Sequence, residues 1–84
     1  MLPMAKPSPS YAGSKELKAV GAAIRAMRLD LGYSQESFAD EVGIDRSYLG
    51  GIERGEHNLA LMNLVRISKA LKLSMSQLIA AAKL

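Results

Sequence analysis

"SQESFADEVGIDRSYLGGIERG", residues 34–55, is the stretch from which the fold of this chain is read. Phe38, Ala39 and Val42 recur at helical spacing, Leu49 and Ile52 do so again further on, and Gly43 stands between the two sets. That pattern predicts two short helices, with Ser34 and Asp45 at their N-caps and Gly43 and Gly55 as left-handed stops. The turn between them is short, includes Gly43 and the apolar Ile44, and forces the helices to cross steeply over Ala39, Ile44 and Leu49. One face of the second helix is then left projecting from the body. A projecting short helix fits the major groove of a duplex, which is about 12 Å wide.

Working outward, Ser14 caps a first helix. Leu17, Val20, Gly21, Ile24, Arg28 and Leu31 form its inward stripe, and Gly32 ends it. After Gly55 a fourth helix takes Leu61, Leu64, Val65, Ile67 and Leu71, and Ala60 before it offers no capping side chain. Ser74 with Gln77 three residues on is a capping box for a fifth helix over about residues 75–83. No run of alternating apolar residues bounded by turn signals occurs, so the prediction is an all-α chain of five helices. Residues 1–13 hold Pro3, Pro7 and Pro9 with a single lysine, Lys6, and follow neither period. They read as a flexible arm, leaving residues 14–84 as one domain.

With 84 residues there is material for one small core, and every helix must contribute to it or to a partner's. The absence of cysteine removes disulfides, thiolate catalysis and thiolate metal sites, and fits a cytoplasmic setting. No apolar stretch approaches the roughly 18 residues of a membrane span, and the start lacks the apolar run of a signal peptide. The net charge of +3 favours polyanionic partners, but it is unevenly placed. Across residues 34–56, Glu36, Asp40, Glu41, Asp45, Glu53 and Glu56 against Arg46 and Arg54 leave −4. The positive charge lies on Lys15, Lys18, Arg25 and Arg28 before that stretch and on Arg66, Lys69, Lys72 and Lys83 after it. There is one histidine, no glycine-rich phosphate loop and no flanked carboxylate pair, so enzymatic chemistry is not expected, nor a metal, a cofactor or a small-molecule effector.

The segments "RLDLGYSQESFADEVGIDRSYLGGIERGEHN" and "LVRISKALKLSMSQLI" resemble the Cro/cI-type helix-turn-helix proteins, the XRE family, over roughly residues 15–80. Within it, Asp-Arg, a hydroxyl residue, Tyr and then Gly-Ile-Glu-Arg-Gly is similar to the controller proteins of restriction-modification systems. The resemblance implies a five-helix, lambda-repressor-like DNA-binding domain, with the helix-turn-helix at about residues 34–54.

By position, the resemblance makes Arg46 and Ser47 base readers, with Tyr48 beside them. Arg46 can present its fork to guanine; the alternative is an ion pair with Asp45 or Glu56. Tyr48 would reach the sugar-phosphate backbone or else cover the core with its ring. Ser34 and Gln35 would bring a helix N-terminus against a phosphate, and Arg54 and Asn58 would hold the DNA backbone. Arg28 and Glu53 correspond to an ion pair that ties the first helix to the third. His57 reads as a solvated loop residue.

Gly50 and Gly51 sit inside a helix of barely two turns, where each costs about 1 kcal/mol relative to alanine. The expectation is that they let the helix backbone, at Gly51 above all, approach DNA closely and leave its neighbours room to swing. The alternative is that Gly50 relieves packing against a neighbouring helix.

A single recognition helix reads too few base pairs for useful specificity, so a homodimer on a two-fold operator is expected. Leu73, Leu78, Ile79 and Ala82, with Leu84, form an apolar edge predicted to be its seam; the alternative is that the fifth helix packs only onto its own bundle. The functional expectation is a sequence-specific transcriptional regulator. The competing reading is a protein-interaction module, such as the antitoxin half of a toxin–antitoxin pair.

Overall fold

The structure, a computed structural model, describes residues 11–84, and the reading of Pro3, Lys6, Pro7 and Pro9 as part of an arm lies outside them. The described residues form α1 (Lys15–Asp30), α2 (Gln35–Val42), α3 (Arg46–Glu53), α4 (Leu61–Ala70) and α5 (Met75–Ala81), with no strand among them.

Local chemistry sets the helix starts. The hydroxyl oxygen of Ser14 accepts from the Leu17 amide at 3.2 Å, and an Asp45 carboxylate oxygen accepts from the Ser47 amide at 3.1 Å. Ser34 and Ser37 cap reciprocally, as do Ser74 and Gln77, each side chain accepting from the other residue's amide. Ala60 leaves α4 without a side-chain cap, as its residue type dictates. At the other end of α2, Gly43 adopts a φ of 85°, and the Arg66 guanidinium of α4 donates to the carbonyls of Val42 at 2.8 Å and Gly43 at 3.0 Å. A cation thus satisfies the last carbonyls of α2 where its dipole is negative.

The core gathers Val20 and Ile24 of α1, Phe38, Ala39 and Val42 of α2, and Leu49 and Ile52 of α3, with Ile67 of α4, Leu71 at its C-cap and Leu78 of α5. In this arrangement α1 packs on α3 and α5, α2 packs on α3 and α4, and α4 packs on α5. Contact between α1 and α3 is unusually close: a methyl group added at Gly21 would lie 2.3 Å from the Ile52 carbonyl oxygen and 2.6 Å from that of Glu53. Gly55 is doubly constrained, by a φ of 76° and by the Lys18 backbone 2.8 Å from where a Cβ would stand. Glycine at these two positions lets α1 lie directly on the C-terminal end of α3.

Four sequence expectations are corrected here. Leu31 is 45% exposed, because α1 ends at Asp30 and leaves it in the cap, beyond the stripe that meets the body. Leu61 is 64% exposed, since the first turn of α4 begins before the helix reaches the core. Leu78 is fully buried and Ala82 is 9% exposed in the chain's own core, so neither forms a seam between subunits; α5 folds back against α1 and α4. Residues 11–13 do not belong to a free arm, because the Gly13 amide donates to the Gly55 carbonyl at 2.7 Å and that of Ser14 to Tyr11 at 2.9 Å.

Candidate nucleic-acid interface

The site starts from a buried clamp. Arg28 of α1 reaches Glu53, the last residue of α3, with Nε 2.7 Å from one carboxylate oxygen and a terminal nitrogen 3.0 Å from the other. Its remaining terminal nitrogen donates to the Tyr33 carbonyl at 2.8 Å, and the Gln35 amide donates to Glu53 at 3.1 Å. Both charged residues are buried, and no buried side-chain polar atom among the described residues lacks a partner. A bidentate, fully satisfied pair of this kind holds geometry firmly, and losing one member strands the other at about 3–5 kcal/mol. Gln35 therefore anchors α2 to the end of α3; its amide nitrogen is turned inward to Glu53 instead of lying free for a phosphate.

Along α3, Leu49 and Ile52 face the core, while at the end opposite the clamp Arg46 and Ser47 are exposed. Arg46 forms no salt bridge among the described residues; a terminal nitrogen stands 3.5 Å from the Gln35 side-chain oxygen, the outer limit of a hydrogen bond. Neither Asp45 nor Glu56 holds it in an ion pair, and Glu56 instead pairs with Arg54 at 2.8 Å, both well exposed. The Ser47 hydroxyl donates to Asp45. That bond first, and the Tyr48 amide next, hold the Asp45 carboxyl below its ordinary range. Through that contact the Arg46 side chain reaches along α3 towards the first turn of α2, which Ser34 caps. Free N–H groups at such ends favour phosphate.

The remaining sequence candidates fall out differently. Tyr48 is half-buried: its phenolic oxygen accepts from Asn63 of α4 at 3.1 Å, and its ring lies 4.9 Å from the His57 ring at 53°. Its phenol links α3 to α4. Gly51 is buried beneath His57, whose imidazole atoms lie 2.5 Å from where a Cβ at 51 would stand, so its backbone is not open to a phosphate as expected. Gly50 is buried beneath the ends of Arg54 and Gln35, at 3.1 and 3.6 Å from its missing Cβ. Asn58 and Arg54 are exposed beyond the helix end.

Of the cations credited with general attraction, Arg28 and Arg66 serve internal roles, whereas Lys15, Lys18, Arg25, Lys69, Lys72 and Lys83 are exposed. Sequence reasoning missed Arg66, Asn63 and His57 as structural partners. The paired glycines were the one sequence signal of space on α3 for another side chain.

A buried ion pair fixing one end of a short helix, an exposed arginine at the other, and a preceding helix crossing it through a glycine turn define a class of protein. The helix-turn-helix family model matches residues 24–78, and the chain belongs to that family, in its XRE-type branch of DNA-binding transcriptional regulators. It is 44% identical over 55 residues to control protein C.MunI of a Mycoplasma species, covering 66% of this chain and 72% of that one. The crystal structure of the restriction-modification controller protein C.AhdI from Aeromonas hydrophila superposes with a TM-score of 0.73 at 40% identity, over 75% of this chain and 96% of that one. SinR, a master regulator for biofilm formation solved in complex with DNA, gives 0.67 at 33% identity over 71% and 97% of the two chains. No helix among the described residues is long and apolar enough to cross a membrane.

Proposed function

We propose that the chain binds operator DNA as a homodimer, with the N-terminal turn of α3 entering the major groove, and that it regulates transcription from that operator. The observation that carries this reading is the contrast along α3: Arg46 is exposed and free of any salt bridge among the described residues, on a helix whose far end is clamped. Arg46 reads guanine through its fork, and Ser47 contributes its remaining acceptor capacity. Backbone N–H groups at the start of α2, near Ser34 and Gln35, and at the start of α3 take phosphates; past the helix end Asn58 grips the backbone, joined by Arg54 once its exposed pairing with Glu56 is exchanged for a phosphate. Two such units on half-sites about 34 Å apart read enough sequence for specificity.

With Leu78 and Ala82 consumed by the core, the subunit seam falls to the partly buried Leu73 and Ile79 and the exposed Leu84. Likeness to C.MunI and C.AhdI supports an operator close to the genes of a restriction-modification system.

The test is a gel shift with the duplex from immediately upstream of the chain's own gene, over a range of salt. Expected are binding that weakens steeply with salt, and an Arg46→Ala variant whose unfolding free energy stays within about 0.5 kcal/mol of wild type while it loses about 1–3 kcal/mol of discrimination. Equal selectivity in wild type and Arg46→Ala would overturn the assignment.

A further inference from the structure

α3 lacks a side chain on part of the face that carries Ser47. Residues four apart lie one above the other on a helix, so Ser47 and Gly51 share that face, and at 51 there is only backbone. The space is not empty. The Cδ2–Nε2 edge of His57 lies 2.5 Å from where the Cβ of residue 51 would be, closer than any real side chain there would tolerate. His57 comes from the turn after α3, and its ring leans on Tyr48, 4.9 Å between centroids, while Tyr48 is itself fixed by Asn63 of α4. The imidazole is therefore supported by neighbouring side chains.

It is also chemically unspent: neither of its nitrogens has a hydrogen bond among the described residues, and neither is sealed from solvent without a partner. Arg54 and Glu56, the charged groups nearest in the same turn, pair with each other at 2.8 Å, and a Glu56 carboxylate oxygen shares the space beside the ring, 3.5 Å from where the Cβ of residue 51 would be.

We propose that His57 is a specificity-determining DNA contact, its imidazole standing on the reading face of α3 as a substitute for the side chain that Gly51 does not have. This rests on the DNA-binding reading above. Through a free nitrogen the ring donates to or accepts from a base edge beside the bases met by Arg46 and Ser47. Gly51 is then required less by the backbone's approach to DNA than by the space the imidazole occupies.

The test uses the full chain and duplexes that the wild-type protein selects from a random pool. If wild type selects no sequence, the DNA-binding reading itself fails and this inference with it. If it selects a sequence, His57→Ala should bind that duplex about tenfold more weakly, the scale of one lost base contact, and should relax the preference at base pairs next to those that Arg46→Ala relaxes. Gly51→Ala, whose methyl group evicts the ring, should relax the same base pairs. Unchanged affinity and preference in His57→Ala would overturn the proposal.

A second measurement needs no variant. His57 is the sole histidine of the chain, so carbethoxylation of imidazole by diethyl pyrocarbonate, located by mass spectrometry, reports on it alone. Modification in the free protein and protection in the complex with the selected duplex are expected. Equal modification in both would overturn the proposal even if His57→Ala failed to fold.

Discussion

At its N-terminal end α3 offers Arg46 and Ser47 to solvent, held by little beyond the Asp45 cap and a long contact to Gln35. Two turns later the same helix is closed in: Glu53 is buried against Arg28, and the carbonyls of Ile52 and Glu53 press on Gly21 of α1. The difference shows how so short a helix is put to use. Eight residues cannot hold a helix in water by propensity, least of all with two glycines among them, so the packed end must supply the order that the exposed end exploits.

The comparison breaks most visibly at the packed end. Glu53→Ala leaves Arg28 buried without its partner and should cost about 3–5 kcal/mol in urea unfolding, enough to threaten folding of a domain this small. Arg28→Met combined with Glu53→Leu should recover part of that loss, because neither charge is then stranded.

Next in size, Gly21→Ala drives a methyl group into the Ile52 and Glu53 carbonyls, which are backbone and cannot swing aside. A destabilisation of about 1–3 kcal/mol is expected from denaturant melts. Gly50→Ala is its counterpart nearer the open end: the nearest atoms, 3.1 Å away, belong to the tip of Arg54 and can move. Relief of the helix penalty, up to about 1 kcal/mol, should then leave that variant neutral or slightly more stable.

The smallest effect concerns the cap. Because the Asp45 carboxyl is lowered in the folded state by Ser47 first, its contribution is present above the unfolded carboxylate pKa and is lost as pH falls through the folded one. Melting temperature followed into the acid range should fall slightly less for Asp45→Asn than for wild type.

The same contrast explains what the sequence made legible. Helix starts at Ser14, Ser34, Asp45 and Ser74, the turn at Gly43 and the Arg28–Glu53 pair were all readable, the first set from local hydrogen-bonding chemistry and the pair through family resemblance. What failed depended on where one helix lies against another. Leu31 and Leu61 obey the apolar period yet fall where no neighbour covers them, while Leu78 and Ala82 find room in a core that chain length alone could not measure. Tyr48 was ambiguous because the partner of its phenol, Asn63, lies fifteen positions away, and His57 was passed over because nothing in its own neighbourhood announces that its ring lies over Gly51.

The central claim, that the open end of α3 enters the duplex while the remainder of the bundle orients it, is tested most directly by amide NMR of the labelled chain titrated with a duplex it selects. The account predicts that the largest shifts fall on the amides of Gln35, Arg46 and Ser47, with those of α5 changed little near its buried Leu78. Shifts centred on α5, with Arg46 and Ser47 unmoved, would contradict it.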